Sequence, residues 1–281
     1  MSAKYVAYRL AQVLSVRLPP ALAVQCAVRL ADAWSRCAVQ ERAAIRLNLS
    51  MVLGTAAPCA SLIREVFRNF GRYLVEFFAI HQTPQPDVRL EGYEHVADAR
   101  RRGRGLIVLT AHLGNWELGA VCLARMGLPM SVVALPHGDP RLNGLFNRQR
   151  ERCGIRVIPL GAGAARHSLE WLRGGGLLGM LGDREFTGHG LVVSAFQREL
   201  TLPRGPAALS LRGQAPVVPV FIIREEPWKF RFYFEPPIWP HAEGGSDTPS
   251  IHTLTQRYAQ VLERYVRRFP EQWLIFQPVV P

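Results

Sequence analysis

The chain has 281 residues, 48% hydrophobic and 20% charged, a globular composition that excludes disorder and suffices to bury a sizeable core. Its 34 Lys and Arg against 22 Asp and Glu leave a net charge of +12, which points towards polyanions: nucleic acid, anionic lipid, an acidic carrier protein or a phosphorylated substrate. Five scattered cysteines, Cys26, Cys37, Cys59, Cys122 and Cys153, lack any C-x-x-C pairing, which argues against a disulfide framework or a zinc site and for a reducing compartment.

Residues 4 to about 80 read as helices: one ahead of Pro19-Pro20, one over 21–37, one over 40–53 and one over 61–80. In the last, Ile63, Val66, Phe67, Phe70, Leu74, Phe77 and Phe78 recur at helical spacing. They form a broad apolar face, suited to a core or to a lipid-facing surface. No uninterrupted apolar run reaches about 18 residues, so no membrane-spanning helix is expected. The apolar N-terminal stretch is broken by Arg9, Arg17, the proline pair and Arg29, which fits neither a span nor a signal peptide. The segment "QTPQPD" then breaks the pattern and marks a boundary between a helical region, 1–83, and a second region, 84–281, that forms one continuous globular unit.

Beyond the boundary, short apolar runs alternate with helical stretches. Strands are predicted at 88–91, 105–110, 130–135, 155–159, 177–181, 217–223 and 230–235, with helices at 116–126, 140–153, 163–173 and 205–213 and a last helix over 249–268. This alternation predicts an α/β fold, a mainly parallel central sheet flanked by helices, preceded by the N-terminal helical region.

The stretch "TAHLGNWELG", 110–119, follows the apolar run "GLIVL". Residues five apart on one helix lie about 140° apart around it, so His112 and Glu117 can meet only across a turn. Asn115 supplies that turn as an N-cap, putting His112 at the carboxyl edge of a strand and Glu117 in the first turn of the next helix. Sites in open α/β sheets collect at that edge. A carboxylate on one imidazole nitrogen leaves the other free to take a proton from a substrate hydroxyl. The same residues also fit a structural role, with His112 satisfying a carbonyl and Glu117 favoured by the helix dipole. A metal site is disfavoured, because H-E-x-x-H spacing is absent.

Two later stretches bear on the same edge. "GMLGDREFTGHG", 179–190, places Asp183, Arg184 and Glu185 directly after another strand, as site residues or as a solvated charged loop. Further on, Arg204, Gly205 and Pro206 sit at a helix start whose backbone N–H groups suit a phosphate or an oxyanion, although an ordinary strand-helix turn has the same pattern.

Together with "RLNLSMVLG", "FRNFGRYLVEFF", "NRQRERCGIRVIP" and "FPEQWLIFQP", these blocks resemble the bacterial lipid A biosynthesis (lauroyl/myristoyl) acyltransferases, within the lysophospholipid acyltransferase group. The resemblance runs from about residue 40 to 278 and extends to the actinobacterial phosphatidylinositol mannoside acyltransferases. It implies that His112 and Glu117 fill the family's H-x4-D/E motif, His112 as general base and Glu117 orienting it. Arg150, in "RERCG", matches a basic position for the developing oxyanion or the donor phosphate. Asp183 falls on a second acidic motif, and the triplet with Arg184 and Glu185 is similar to the mannoside branch. Asn115, Asp183, Arg184, Glu185, Arg204 and Gly205 are thus expected to bind substrate. The sequence departs from the family's Phe-Phe-Gly run at Ala195-Phe196-Gln197, near the acyl or acceptor pocket.

The expected reaction moves a fatty acyl chain from acyl carrier protein or coenzyme A directly to a glycolipid hydroxyl, a lipid A precursor first and another lipid, lysophospholipid or mannosylated, as the alternative. No cofactor beyond the thioester donor is implied. Residues 1–83 are expected to attach peripherally or monotopically to an anionic membrane surface, at the cytoplasmic face of the bacterial inner membrane. A non-catalytic lipid-binding protein is the reading from a different class. No nucleic-acid recognition motif accompanies the charge, so no specific nucleic-acid partner is expected.

Overall fold

The computed structural model describes residues 3–55, 57–81, 86–101, 105–241 and 249–279. Helices α1 (Ala3–Arg17), α2 (Pro20–Cys37), α3 (Val39–Leu53) and α4 (Ala60–Ala79) come first. Pro20 opens α2, where a fixed φ and a missing N–H cost least, and Gly54, at φ 65°, closes α3 in the left-handed conformation that L side chains resist. The apolar face of α4 is core: Val66, Phe67, Phe77 and Phe78 are buried. Gly71 allows the close approach to α2, since a Cβ there would lie 3.0 Å from the carbonyl oxygen of Ala27. The expected region boundary at 83/84 lies outside the described residues.

The remaining elements are β1 (Asp87–Glu91), α5 (Glu94–Arg101), β2 (Leu106–Thr110), α6 (Trp116–Arg125), β3 (Met130–Ala134), α7 (Pro140–Arg152), β4 (Arg156–Pro159), α8 (Ala164–Arg173) and β5 (Leu177–Leu181). They continue with β6 (Leu191–Ala195), β7 (Arg198–Leu202), α9 (Gly205–Gly213), β8 (Val217–Glu226), β9 (Lys229–Phe234) and α10 (Ile251–Arg268). Seven strands form one sheet in the order β1-β9-β8-β2-β5-β3-β4, parallel at every pairing except the β8–β9 hairpin. Helices cover both faces, so the central strand β2 is apolar and buried from Leu106 to Leu109, before Thr110 at its end. One large hydrophobic cluster lies on each side of it.

Two features depart from the sequence reading. Helix α5 follows β1 directly, and β6 and β7 form a separate antiparallel hairpin. Its two-residue turn, Phe196 and Gln197, has φ 53° and 59°. Turns of that type are normally signalled by Asn or Gly, and neither stands here to mark the hairpin.

Candidate active site

Strands β2 and β5 are parallel neighbours, with Thr110 paired to Leu181. The residues two positions beyond each strand end, His112 and Asp183, therefore emerge side by side at the carboxyl edge of the sheet. Asp183 Oδ1 lies 2.9 Å from His112 Nδ1, and Asp183 Oδ2 accepts the His112 backbone N–H at 2.8 Å and the Trp273 indole N–H at 2.9 Å. Burial of Asp183 works to raise its pKa, but the charge of His112 and the hydrogen bonds from His112 and Trp273 outweigh it and hold the carboxyl below its ordinary value. An acceptor-only carboxylate on Nδ1 selects the tautomer with the proton there. The other nitrogen, Nε2, has no hydrogen-bond partner among the described residues.

The expected pairing of His112 with Glu117 is not the one the structure contains. Both Glu117 oxygens accept from Arg150, at 3.0 Å to Nε and 2.5 Å to Nη2. The pair is almost fully enclosed, with side-chain exposures of 5% and 13%. The physical reason is position: Asp183 leaves the strand beside β2, whereas Glu117 lies in the first turn of α6 and meets Arg150 of α7. Arg150 was expected to stand free for an oxyanion or a phosphate. Its guanidinium is instead forked on Glu117, with Nη1 donating to Asn147 at 3.2 Å. Burial of Arg150 opposes its charge, but Glu117 outweighs this and the net shift keeps the guanidinium protonated.

Asn115 caps α6, its Oδ1 accepting from the Leu118 N–H at 3.0 Å. It is fully buried, so direct substrate contact is closed to it. Its amide donates to Glu76 Oε2 at 2.8 Å, and Glu76 carries the Arg224 guanidinium. Arg224 also donates to Asn69 Oδ1 at 2.9 Å. This buried group, contributed by α4, β8 and the α6 cap, holds the turn that presents His112. Glu76 and Arg224 stand 148 positions apart, and no local pattern couples them.

His112, Glu117 and Arg150 line a cavity of about 580 Å³, within the range of small-molecule sites. One part runs between α6 and the sheet and is apolar, bounded by Gly119, Leu123, Met130, Val220, Ile222 and Phe232. Gly119 opens that space, since a Cβ there would meet Ile222 Cγ2 at 3.3 Å and the Phe232 ring at 3.5 Å. The other part is polar and includes Arg184, Glu185, Arg204 and Gly205; Tyr8 of α1, packed on Phe146, also lines the cavity. Arg184 donates to Gln277 and stacks on Phe186 at 4.6 Å. Burial lowers its pKa, only partly offset by Asp183. Arg204 is exposed at the start of α9 and Gly205 is its first residue. Neither arginine has a carboxylate partner among the described residues. Glu185 is turned onto the backbone and hydroxyl of Thr187.

The sequence model of the family described as bacterial lipid A biosynthesis acyltransferase matches residues 4–279. The chain is similar to the phosphatidylinositol mannoside acyltransferase of Mycolicibacterium smegmatis, 26% identical over 244 residues that cover 83% of this chain and 78% of that protein. The phosphatidylinositol mannoside acyltransferase of Mycobacterium tuberculosis is 28% identical over 251 residues, 83% and 75% of the two chains. The lipid A biosynthesis palmitoleoyltransferase of Escherichia coli is 26% identical over 238 residues, 81% and 74%.

Proposed function

Because the chain belongs to the bacterial lipid A biosynthesis acyltransferase family, and is an acyltransferase, we propose that it moves a fatty acyl chain from an acyl carrier protein or coenzyme A thioester to a sugar hydroxyl of a glycolipid. One observation carries this reading. An imidazole with Nδ1 tied to Asp183, and with Nε2 unpartnered among the described residues, lines a cavity whose inner part is apolar.

In the proposed reaction the acyl chain lies between α6 and the sheet, with its thioester carbonyl beside His112. Nε2 takes the proton of the acceptor hydroxyl as the oxygen attacks that carbonyl. The ester C–O bond forms, the C–S bond breaks, and the imidazolium returns the proton to the departing thiolate. Asp183 keeps the tautomer and balances the imidazolium charge. Arg184, Arg204 and the Gly205 N–H offer the positive field for a phosphate on donor or acceptor, or for the developing oxyanion.

The proposed location is a membrane surface, the cytoplasmic face of the inner membrane, and α1 supports the surface attachment. Val6, Leu10 and Val13 recur there at helical spacing and are exposed, flanked by exposed Lys4, Arg9 and Arg17. Tyr8 of the same helix borders the cavity, so a lipid surface against α1 would stand beside the site. No helix among the described residues is long and apolar enough to cross a membrane.

A lipid A precursor and a mannosylated lipid both present the required hydroxyl. The Asp183-Arg184-Glu185 triplet and the likeness to mannoside acyltransferases favour the second strongly enough to keep both. The test is mass spectrometry of lipids from a Gram-negative host that lacks its own late acyltransferases and expresses wild type or His112→Ala. A lipid A species heavier by one acyl chain, with wild type alone, supports the first acceptor, and transfer to a supplied phosphatidylinositol mannoside supports the second. No new acylated lipid from a folded, membrane-bound protein overturns the reading.

A further inference from the structure

The C-terminal segment following α10 touches the site at three points. Leu113 and Trp273 form an antiparallel bridge, in which the Gly114 N–H donates to the Gln272 carbonyl at 2.9 Å and the Leu274 N–H to the His112 carbonyl at 2.7 Å. The side-chain amide of Gln272 closes a two-way pair with the backbone of Arg224, at 3.0 and 2.9 Å, and so ties the segment to β8. The third contact is the Trp273 indole N–H on Asp183 Oδ2.

We infer, on the reading that His112 is the base, that Trp273 is a positioning residue for the reaction. Asp183 has two oxygens and three donors. With the indole and the His112 backbone N–H both on Oδ2, rotation of the carboxylate is blocked and Oδ1 is left facing Nδ1. Trp273 is itself 4% exposed, so its N–H needs a buried acceptor, and it finds a carboxylate rather than a backbone carbonyl. Phe196 stacks on the Trp273 ring at 6.0 Å and 25°, and the Arg267 guanidinium lies 5.5 Å from the centre of the Phe196 ring. The turn between β6 and β7 thereby supports Trp273, Trp273 holds Asp183, and Asp183 holds His112.

A merely structural tryptophan and a positioning one make different predictions. Trp273→Phe removes the N–H and keeps a ring against Phe196. The expected result is a fall in kcat of about 10- to 100-fold, the range seen when the partners that orient metal-ligating histidines are removed, with KM unchanged. Once Asp183→Ala has removed the acceptor, Trp273→Phe should cost less than about twofold, since its effect travels through Asp183. If Trp273→Phe does not fold, benzothienylalanine at position 273 keeps the bicyclic shape and deletes only the N–H. Wild-type kcat with either replacement, or an equal loss with and without Asp183, overturns the inference. An active His112→Ala would instead overturn the base assignment on which it rests.

Discussion

Asp183→Asn isolates the chemistry of the His112 pair, because it removes one charge and leaves every heavy atom in place. The amide oxygen at the Oδ2 position still accepts from the His112 backbone and from Trp273, contacts of 2.8 and 2.9 Å. The amide nitrogen then occupies the Oδ1 position, 2.9 Å from His112 Nδ1. Two donors cannot share that contact, so the imidazole must carry its proton on Nε2, the atom that has to accept one from the substrate. In a serine-protease triad the same tautomer error costs about 10⁴ in kcat. We expect about 10³–10⁴ here, or roughly 4–5.5 kcal/mol of activation free energy. Two hydrogen bonds persist and the third reverses direction, the amide N–H donating to Nδ1, so stability should fall by no more than about 2 kcal/mol and Tm by no more than about 8 °C. The assay is single-turnover transfer of a labelled acyl group from its thioester to extracted membrane lipid, beside a thermal melt. A kcat within about tenfold of wild type would refute the His112–Asp183 assignment, and a rate loss explained by unfolding would remove its support.

Three further outcomes follow from the geometry. Glu117→Ala leaves the Arg150 guanidinium buried without its counter-ion, which should cost about 3–5 kcal/mol, whereas Glu117→Met combined with Arg150→Met should recover most of it; urea midpoints that are equal for the single and double variants would contradict this. Gly119→Val narrows the space against Ile222 and Phe232 and should shift donor preference to shorter chains, read by competition among acyl thioesters of graded length; an unchanged profile would mean that the chain lies elsewhere. Asp183 has a lowered pKa, so its contribution to stability is fully present above about pH 4, the unfolded value, and is lost as pH falls through the lowered one. Wild type should therefore lose more stability than Asp183→Asn between about pH 4 and pH 2, measured by denaturant titration at each pH.

Much of the site was legible in local pattern. The N-cap at Asn115 follows from one residue at one junction, and it put His112 at a strand end and Glu117 in the first helical turn. Asp183, Arg184 and Glu185 were recognisable as the exit of another strand. The choice of acid partner for His112 was not legible, because it turns on strand adjacency. The motif spacing favoured Glu117, five residues away, over Asp183, 71 residues away. Trp273 stood in the quoted block "FPEQWLIFQP" with nothing in its neighbours to assign it a partner, and the β6–β7 turn lacked the glycine or asparagine that would have announced it.

By itself the sequence determined what short-range periodicity and capping determine: most of the helices and strands, though not α5 or the β6–β7 hairpin, that strands alternating with helices make a mainly parallel sheet, and which polar residues stand at its carboxyl edge. Only the tertiary structure decided which of them meet. Sheet order put β5 beside β2 in the Thr110–Leu181 register, and so put Asp183 on His112. Packing of α7 on the first turn of α6 gave Glu117 to Arg150, and the return of the C-terminal segment brought Trp273 to the carboxylate. Hydrogen bonding within an element is local and leaves its mark in neighbouring residues. The pairing of strands is fixed by burial of the whole sheet, to which every element contributes at once.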